Sequence, residues 1–383
     1  MCFWRGCMNK KCAIILAAAA GIVCALATFL IMTLIRNADP FVEVSGLIQQ
    51  KYLNGYDALA VRDAGLKAMV SELGDPYSAY YTPDEFKAYE HQVSGEYVGI
   101  GIIIKKDTGT GDIIVDSFIE GSSAKEAGIL EGDVIISVDG TGVAGKTLVQ
   151  ISELCGGKEG TTVKIGVRRG GETLEFAIIR KALARDMVTY RMLPDGIGYM
   201  KILQFGGNCE KLFGEAMDYF INNGAGGVVI DLRDDPGGYL DAVVRVLDRL
   251  LPEGTLVYTE NRNKIRETYK SGASCIKIPL ALVVNKNTAS AAEIFAGAVQ
   301  DFDYGKVVGT TTYGKGVVQE IIPVKSTGGG LKLTISQYFT PKGRVINGNG
   351  IYPDYYVGDS GSPEKDAQLE KAIEVLKKAI AAQ

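Results

Sequence analysis

One stretch decides the fold of this chain: Pro279-Leu-Ala-Leu-Val-Val284, Asn285-Lys-Asn-Thr-Ala289 and Ser290-Ala-Ala-Glu-Ile-Phe-Ala-Gly-Ala-Val-Gln300. Its three parts predict a strand, a tight turn and a helix in succession. Ser290 would then lie at the N-terminus of the helix, where unpaired backbone N–H groups favour developing negative charge. A serine at this position is commonly only a helix cap, so the position alone indicates no chemistry.

A second polar cluster, Tyr313-Gly-Lys-Gly-Val-Val-Gln319, follows this helix. Lys315 and Gln319 lie on one face of an extended chain, because side chains alternate along a strand. The chain contains a single histidine, His91, in a polar segment far from the serine in sequence. A Ser-His-Asp site therefore has one poor candidate base, and a lysine base for Ser290 is the simpler hypothesis.

Length and composition restrict the function further. The 383 residues can form two or three domains with a sizeable core. The net charge of −4 and the lack of a long basic run argue against a nucleic-acid partner. The seven cysteines form no C-x-x-C pair and no even set outside the N-terminus. We therefore expect no metal site, no disulfide framework and no cofactor.

Residues 12–35 carry no charge and are long enough to cross a hydrocarbon core of about 30 Å as a helix. Basic residues precede this segment, which places residues 1–11 in the cytoplasm by the positive-inside rule: Arg5, Lys10 and Lys11. The sequence thus predicts a single-pass protein of the cell membrane with its catalytic part outside the cytoplasm. A cleaved signal peptide with a site at Ala25-Leu-Ala27 is the alternative; the long apolar run favours an uncleaved anchor.

Amphipathic helices are predicted for residues 36–93 and for the C-terminal segment 359–383. Their apolar positions form stripes that a lone chain would leave uncovered: Val44, Leu47, Ile48, Leu59, Leu66, Met69 and Val70, and then Leu369, Ile373, Leu376 and Ile380. Because exposed apolar stripes are normally covered by a partner, we expect a homodimer with the N-terminal helices at its contact.

Residues 94–182 contain short strand-like runs, a short helix at Gly121-Ser-Ser-Ala-Lys-Glu-Ala-Gly128 and closing strands, and this segment resembles a PDZ domain. The resemblance implies a loop whose N–H groups bind the C-terminal carboxylate of a peptide, which adds to the domain as a strand. It assigns peptide binding to six consecutive residues: Tyr97, Val98, Gly99, Ile100, Gly101 and Ile102. The isoleucines would favour an apolar C-terminal side chain.

Strand-like and helical segments alternate through residues 183–358, which predicts an α/β core. This region carries four motifs in order: Asp231-Leu-Arg-Asp-Asp-Pro-Gly-Gly238, Asn287-Thr-Ala-Ser-Ala-Ala-Glu293, Tyr313-Gly-Lys-Gly-Val-Val-Gln319 and Pro341-Lys-Gly-Arg-Val-Ile-Asn-Gly-Asn-Gly-Ile-Tyr-Pro-Asp354. Together with Leu73-Gly-Asp-Pro-Tyr-Ser78 they resemble the C-terminal processing peptidases, serine peptidase family S41. The resemblance implies a core similar to crotonase and the ATP-dependent Clp protease subunit, with an inserted PDZ domain.

The same resemblance implies roles for individual residues. The nucleophile of the family falls on Ser290, its base on Lys315 and its lysine-orienting glutamine on Gln319. Backbone N–H groups of the oxyanion hole are expected where a glycine turn and a helix start meet: Gly237, Gly238 and Ala291. Asp235 departs from the family, which usually has asparagine there, and a negative charge at this place would weaken an oxyanion site.

We therefore expect a membrane-anchored serine endopeptidase that cleaves extracytoplasmic proteins near free, apolar C-termini bound by its PDZ domain. The alternative is a membrane-tethered PDZ scaffold with a catalytically silent core. Asp235 is the one feature that favours this alternative, whereas the intact set of serine, lysine and glutamine favours the enzyme.

Overall fold

The structure is a computed structural model that describes residues 18–28, 39–107, 109–184, 186–358 and 366–382. The described residues fall into two compact units, which divide between Gly65 and Leu66. The first unit holds a helix at 18–28 (α1), a helix at Pro40–Lys51 (α2) and the first half of the helix Ala58–Ser71 (α3). Asp39 caps α2, because its carboxylate accepts a hydrogen bond from the backbone N–H of Phe41 at 2.9 Å.

The membrane anchor predicted for residues 12–35 lies largely outside the described residues. Residues 18–28 are helical. Among the described ranges there is no helix with the length and apolar character needed to cross a membrane.

The second unit begins with the rest of α3, followed by strand β1 (Ala79–Tyr81) and helix α4 (Pro83–Ser94). Thr82 and Glu85 cap α4 reciprocally, because each side chain accepts a hydrogen bond from the backbone N–H of the other residue. The helical region predicted for residues 36–93 is thus interrupted by a strand, which the sequence analysis did not anticipate. The turn before β1 carries Tyr77, whose ring lies near the side chain of Lys315.

Residues 96–184 form a small antiparallel domain whose first and last strands pair with each other. Its strands and helices are β2 (Glu96–Gly99), β3 (Ile102–Lys106), β4 (Ile113–Phe118), α5 (Ser123–Glu126), β5 (Val134–Val138), β6 (Thr141–Gly142), α6 (Leu148–Cys155), β7 (Thr162–Arg169), β8 (Glu172–Ile179) and β9 (Lys181–Ala184). One sheet has the order β3-β4-β5-β7-β8, with β6 on β5, and β2 pairs with β9. The domain has its own apolar core, centred on Ile113, Ile135, Ile151 and Ile165.

The remaining residues form an α/β core, which confirms the predicted class. Its elements are β10 (Val188–Leu193), β11 (Ile197–Ile202), α7 (Cys209–Asn222), β12 (Gly227–Asp231), α8 (Leu240–Leu250), β13 (Gly254–Asn261), β14 (Arg266–Ser271), β15 (Leu280–Val284), α9 (Ala291–Asp301), β16 (Gly305–Gly309), β17 (Val317–Val324), β18 (Gly329–Phe339), β19 (Tyr355–Tyr356) and α10 (Ala367–Ala381).

Two sheets organise this core. The first has the order β10-β11-β12-β15-β16-β19, and all its pairs are parallel except β10 with β11. The second is antiparallel: β18 pairs with β1, β13 and β17, and β14 pairs with β13. The strands β12 and β15 are buried along their whole length, because helices cover both faces of the parallel sheet.

The C-terminal helix α10 covers one face of the parallel sheet. Leu376 is fully buried there, and the other three residues of the predicted stripe pack against the same cluster: Leu369, Ile373 and Ile380. The prediction that this stripe is left for a second chain is therefore wrong. The period of the apolar residues was correct, but their partner is the sheet of the same chain, around Val229 and Ala281.

Candidate active site

Ser290 lies directly before the first residue of α9, at the end of the turn that follows β15. Its backbone has φ 57° and ψ −119°, in the left-handed region that residues with a side chain rarely adopt. The preceding turn is fixed by Thr288, whose hydroxyl donates to the carbonyl oxygen of Leu232 at 2.8 Å. Such strain persists only where the surroundings enforce it, and here it holds the serine at the N-terminus of a helix.

The carboxylate of Glu293 joins this serine to the lysine segment. It is fully buried and accepts hydrogen bonds from the backbone N–H of Ser290 at 2.9 Å and of Lys315 at 2.8 Å. It also accepts from the N–H of Gly314 at 2.7 Å and from the hydroxyl of Thr312 at 2.6 Å. Burial raises the pKa of Glu293, and these four hydrogen bonds oppose that shift.

Sequence reasoning did not assign a role to Glu293. The signal was present, because an acidic residue three positions after a helix-starting residue is a known capping pattern. That pattern explains the bond to Ser290. It could not reveal the bonds to Gly314 and Lys315, which depend on how the fold brings two distant segments together.

Lys315 lies two residues before the start of β17, and its side chain is partly buried. Its ammonium nitrogen lies 5.2 Å from the centre of the Tyr77 ring, which belongs to the turn before β1. Within the described residues, no carboxylate forms an ion pair with Lys315. Burial and then the nearby positive charge of Lys332 lower the pKa of Lys315, while Glu293 and Asp75 act in the opposite direction. A neutral amine is therefore more accessible here than in an ordinary lysine.

Tyr338 contributes a second contact between the two segments that the sequence analysis missed. Its side chain is almost fully buried, and its hydroxyl donates a hydrogen bond to the carbonyl oxygen of Lys315. The same hydroxyl is hydrogen-bonded to the side chain of Ser290, and burial together with the charge of Glu293 raises the pKa of Tyr338. The nucleophile candidate thus has a buried, neutral hydroxyl partner from β18.

The glycine turn predicted for the oxyanion hole lies against Ser290. A Cβ atom on Gly237 would lie 2.7 Å from the Cβ of Ser290 and 2.8 Å from the nitrogen of Ala291, so only glycine fits. The N–H of Gly237 donates to a carboxyl oxygen of Asp235 at 2.8 Å and is already used. Among the described residues, the N–H groups of Gly238 and Ala291 donate no hydrogen bond. Of the three expected donors, the structure leaves these two available.

Hydrogen bonds of Arg233 hold the segment that precedes the glycine turn. The guanidinium group of Arg233 donates to Asp231 at 2.6 Å and to Asp366 at 2.7 Å, and Asp366 caps α10. Burial lowers the pKa of Arg233, but the two carboxylates outweigh it, and the net shift is upward. The C-terminal helix therefore fixes the position of the glycine turn.

Gln319 lies in β17, where its side-chain N–H donates to the hydroxyl of Thr334 at 3.1 Å. The backbone N–H of Thr334 donates to the hydroxyl of Ser78, which in turn donates to Asp75 at 2.5 Å. Gln319 thus belongs to a polar chain that reaches the turn before β1. The hydrogen bonds of the described residues include none from Gln319 to Lys315, so its role in orienting the lysine stays a prediction.

The six predicted peptide-binding residues lie in different environments. Tyr97, Val98 and Gly99 belong to β2 and pair with β9, whereas Gly101 has φ 80° and packs against Ser122. Ile100 is 1% exposed and fills the core of the small domain, so its side chain does not face a peptide as predicted. Ile102 starts β3 and is partly buried against the same core.

No group of His, Cys, Asp and Glu side chains within the described ranges is arranged to hold a metal ion.

Comparison with known sequences identifies both domains. A family model described as peptidase family S41 matches residues 196–357, and one described as a PDZ domain matches residues 98–179. A probable CtpA-like serine protease of Staphylococcus haemolyticus (strain JCSC1435) is 36% identical over 312 residues, which are 80% of this chain and 62% of the relative. One from Staphylococcus aureus (strain COL) is 34% identical over 322 residues, 83% of this chain and 64% of the relative. The chain spans less than two thirds of these relatives.

Comparison with solved structures agrees. The chain is similar to a photosystem II D1 C-terminal processing protease, with 29% identity and a TM-score of 0.52 over 89% of this chain and 92% of that one. It also resembles a putative S41 protease from Bacteroides fragilis NCTC 9343, with a TM-score of 0.56 over 88% of this chain and 97% of that one. The latter is 18% identical, so this likeness concerns the fold alone.

Replacing Glu293 with glutamine tests whether this side chain positions the site. The amide oxygen cannot accept all four hydrogen bonds, and the amide N–H atoms would face backbone donors. We expect kcat/KM for a peptide substrate to fall about 100-fold, because a misplacement of about 1 Å has that effect on catalysis. Glu320→Gln, on the exposed face of β17, is the matched control. A folded Glu293→Gln chain with the activity of the control would contradict the assignment.

Proposed function

We propose that the chain is a serine endopeptidase of peptidase family S41 with Ser290 as nucleophile and Lys315 as base, because the S41 model matches residues 196–357 and the PDZ model matches residues 98–179. The observation that carries the proposal is the carboxylate of Glu293, which holds the backbone of both residues at one point. A merely capped helix needs the first of these bonds and not the second.

The proposed reaction is hydrolysis through an acyl-enzyme. The neutral amine of Lys315 takes the proton of the Ser290 hydroxyl as its oxygen attacks the carbonyl carbon of the substrate. The carbonyl oxygen becomes an oxyanion that accepts hydrogen bonds from the free N–H groups of Gly238 and Ala291. The tetrahedral adduct then expels the amine, which takes the proton from the Lys315 ammonium group. Water attacks the ester in a second cycle, and Lys315 again accepts and returns the proton.

The environment of Lys315 suits a base. An ordinary lysine has a pKa of about 10.4 and is charged at neutral pH. Burial lowers the pKa of Lys315, so the fraction of neutral amine at neutral pH is larger than in an exposed lysine. The ring of Tyr77, 5.2 Å from the amine nitrogen, stabilises the cation less than a paired carboxylate would. We also assign Gln319 to orienting the amine when substrate is bound.

Substitution of the two residues tests the chemistry. Ser290→Ala and Lys315→Ala should each lower kcat by about a thousandfold or more without loss of fold. Lys315→Arg should fail equally, since a guanidinium group keeps its proton, whereas Lys325→Arg in an exposed loop should be active. In the wild type, kcat/KM should rise with pH over the range in which Lys315 loses its proton. Full activity of folded Lys315→Ala, or a rate independent of pH, would rule out this base.

The PDZ domain would select substrates by their free C-termini. The loop at Gly101 supports this assignment through its fixed backbone, although Ile102 rather than Ile100 must contact an apolar side chain. Peptide binding to the PDZ domain can influence the proposed active site, because hydrogen bonds connect the segment that follows this domain with the glycine turn. Leu203 donates to the carbonyl oxygen of Met187, and Phe205 donates to that of Gly237, both at 2.8 Å.

Amidation of the substrate C-terminus tests this selection. Charge-assisted hydrogen bonds contribute about 1.5–3 kcal/mol each, so an amidated peptide should be cleaved about tenfold or more less efficiently, chiefly through KM. The same peptide with a free carboxylate is the control. Equal rates would refute tail recognition, and tail-dependent binding without any cleavage would favour the catalytically silent scaffold.

Deleting residues 95–179 tests how the PDZ domain acts on the site. Loss of cleavage would mean that the domain holds the substrate, and faster cleavage would mean that it blocks the site.

We further propose that residues 12–35 anchor the chain in the cell membrane as a single-pass helix, with the catalytic part outside the cytoplasm. The proposal rests on the uncharged run and on the basic residues that precede it. Substrates would then be extracytoplasmic proteins.

The last element of the proposal is a homodimer formed through the first unit. Its helices α2 and α3 and the segment that joins them expose large apolar side chains: Phe41, Val44, Leu47, Leu53 and Leu59. The double variant Leu47→Glu and Leu59→Glu should shift the full-length chain from dimer to monomer in sedimentation experiments in detergent. Gln50→Glu on α2 adds the same charge at an exposed polar position and should leave the dimer intact. A wild-type chain that sediments as a monomer would contradict the proposal.

A further inference from the structure

Asp235 is the most unusual acidic residue near the proposed site. It lies in the turn between β12 and α8, and its side chain is 0% exposed. One carboxyl oxygen accepts the N–H of Gly237 at 2.8 Å. The other oxygen, Oδ2, is buried and has no hydrogen-bond partner within the described part of the chain.

The groups around Asp235 do not balance a negative charge. Lys201 on β11 is the one cation whose charge acts on it, and no ion pair to Asp235 occurs among the described residues. Cys209 at the start of α7 faces it as a neutral thiol, because burial raises the pKa of Cys209 to about 12. The neighbours in sequence point elsewhere: Arg233 binds Asp231 and Asp366, and Asp234 binds Asn285 and Asn287.

A buried carboxylate without a partner is strongly disfavoured relative to the protonated acid. Burial accordingly raises the pKa of Asp235 well above its usual value, and the bond from Gly237 offsets this only in part. A proton on Oδ2 leaves an unpaired hydroxyl, which is far less unfavourable than an unpaired charge. The other oxygen still accepts the N–H of Gly237 as a carbonyl would.

We infer that Asp235 is a neutral acid that positions the glycine turn, and that loss of its proton as the pH rises switches turnover off by placing a charge beside the oxyanion hole. The catalytic part of this inference rests on the proposed function. The Asp235 side chain acts through Gly237, whose position sets the free N–H of Gly238. An asparagine would hold the turn in the same way but would lack this loss of turnover at higher pH.

Infrared spectroscopy of the full-length chain tests the neutrality without any activity. The difference spectrum between wild type and Asp235→Asn at neutral pH should contain the C=O stretching band of one protonated carboxyl group. The band should shift in deuterated water and disappear at higher pH. The matched control is Asp234→Asn, because hydrogen bonds from Asn285 and Asn287 lower the pKa of Asp234 and keep it ionised. Absence of the band at neutral pH overturns the inference.

A rate profile tests the positioning role. The ratio of kcat/KM for Asp235→Asn to that of wild type should be near one while Asp235 is protonated. Above that range it should rise toward tenfold per pH unit, because one proton is lost. Titration of Lys315 affects both chains equally and cancels in the ratio. A ratio independent of pH, across the range in which the band disappears, overturns the link to turnover. Absence of proteolysis in both chains counts against the proposed function and leaves the infrared result to decide the charge of Asp235.

Discussion

The carboxylate of Glu293 is the interaction on which the proposed site depends. Ser290 is placed by the strand–turn–helix unit of the parallel sheet, whereas Lys315 is placed by the antiparallel sheet through β17. Local structure in either sheet cannot set the distance between them. A buried carboxylate that accepts N–H donors from both segments can, because each bond is charge-assisted and leaves little freedom in direction. Tyr338 adds a second link between the segments, because its neutral hydroxyl on β18 is hydrogen-bonded to both residues.

Burial explains the electrostatics of the site in a single way. Removing water from Lys315 lowers its pKa, and removing water from Asp235 raises its pKa, so both groups move toward their neutral forms. Lys315 must be neutral to accept a proton. A neutral Asp235 adds no negative charge that would repel the oxyanion. Glu293 differs from Asp235 because four hydrogen-bond donors oppose the upward shift that burial causes in its pKa. Hydrogen-bond partners, and not depth alone, therefore decide how strongly burial disfavours an ionised carboxyl group.

The sequence predicted those features that local pattern controls. The strand before Ser290, the helix after it and the glycine turn at Gly237 all carry local signals, and the structure has them where expected. The roles of Glu293 and Tyr338 were missed, because their partners lie in other elements of the fold. Periodicity found the stripe around Leu376 but could not say that the sheet of the same chain covers it.

The prediction that the side chain of Ile100 faces a bound peptide was wrong for a related reason. An apolar residue in a glycine loop can face a ligand or the core, and its sequence neighbours are the same in both cases. Covalent labelling of Ser290 tests the central claim most directly. A fluorophosphonate probe should modify one residue of the full-length chain, identified by mass spectrometry as Ser290, at a rate that rises with pH and is lost in Lys315→Met. Modification of a different residue, or labelling of Ser290 that is independent of pH and undiminished in Lys315→Met, would contradict the account.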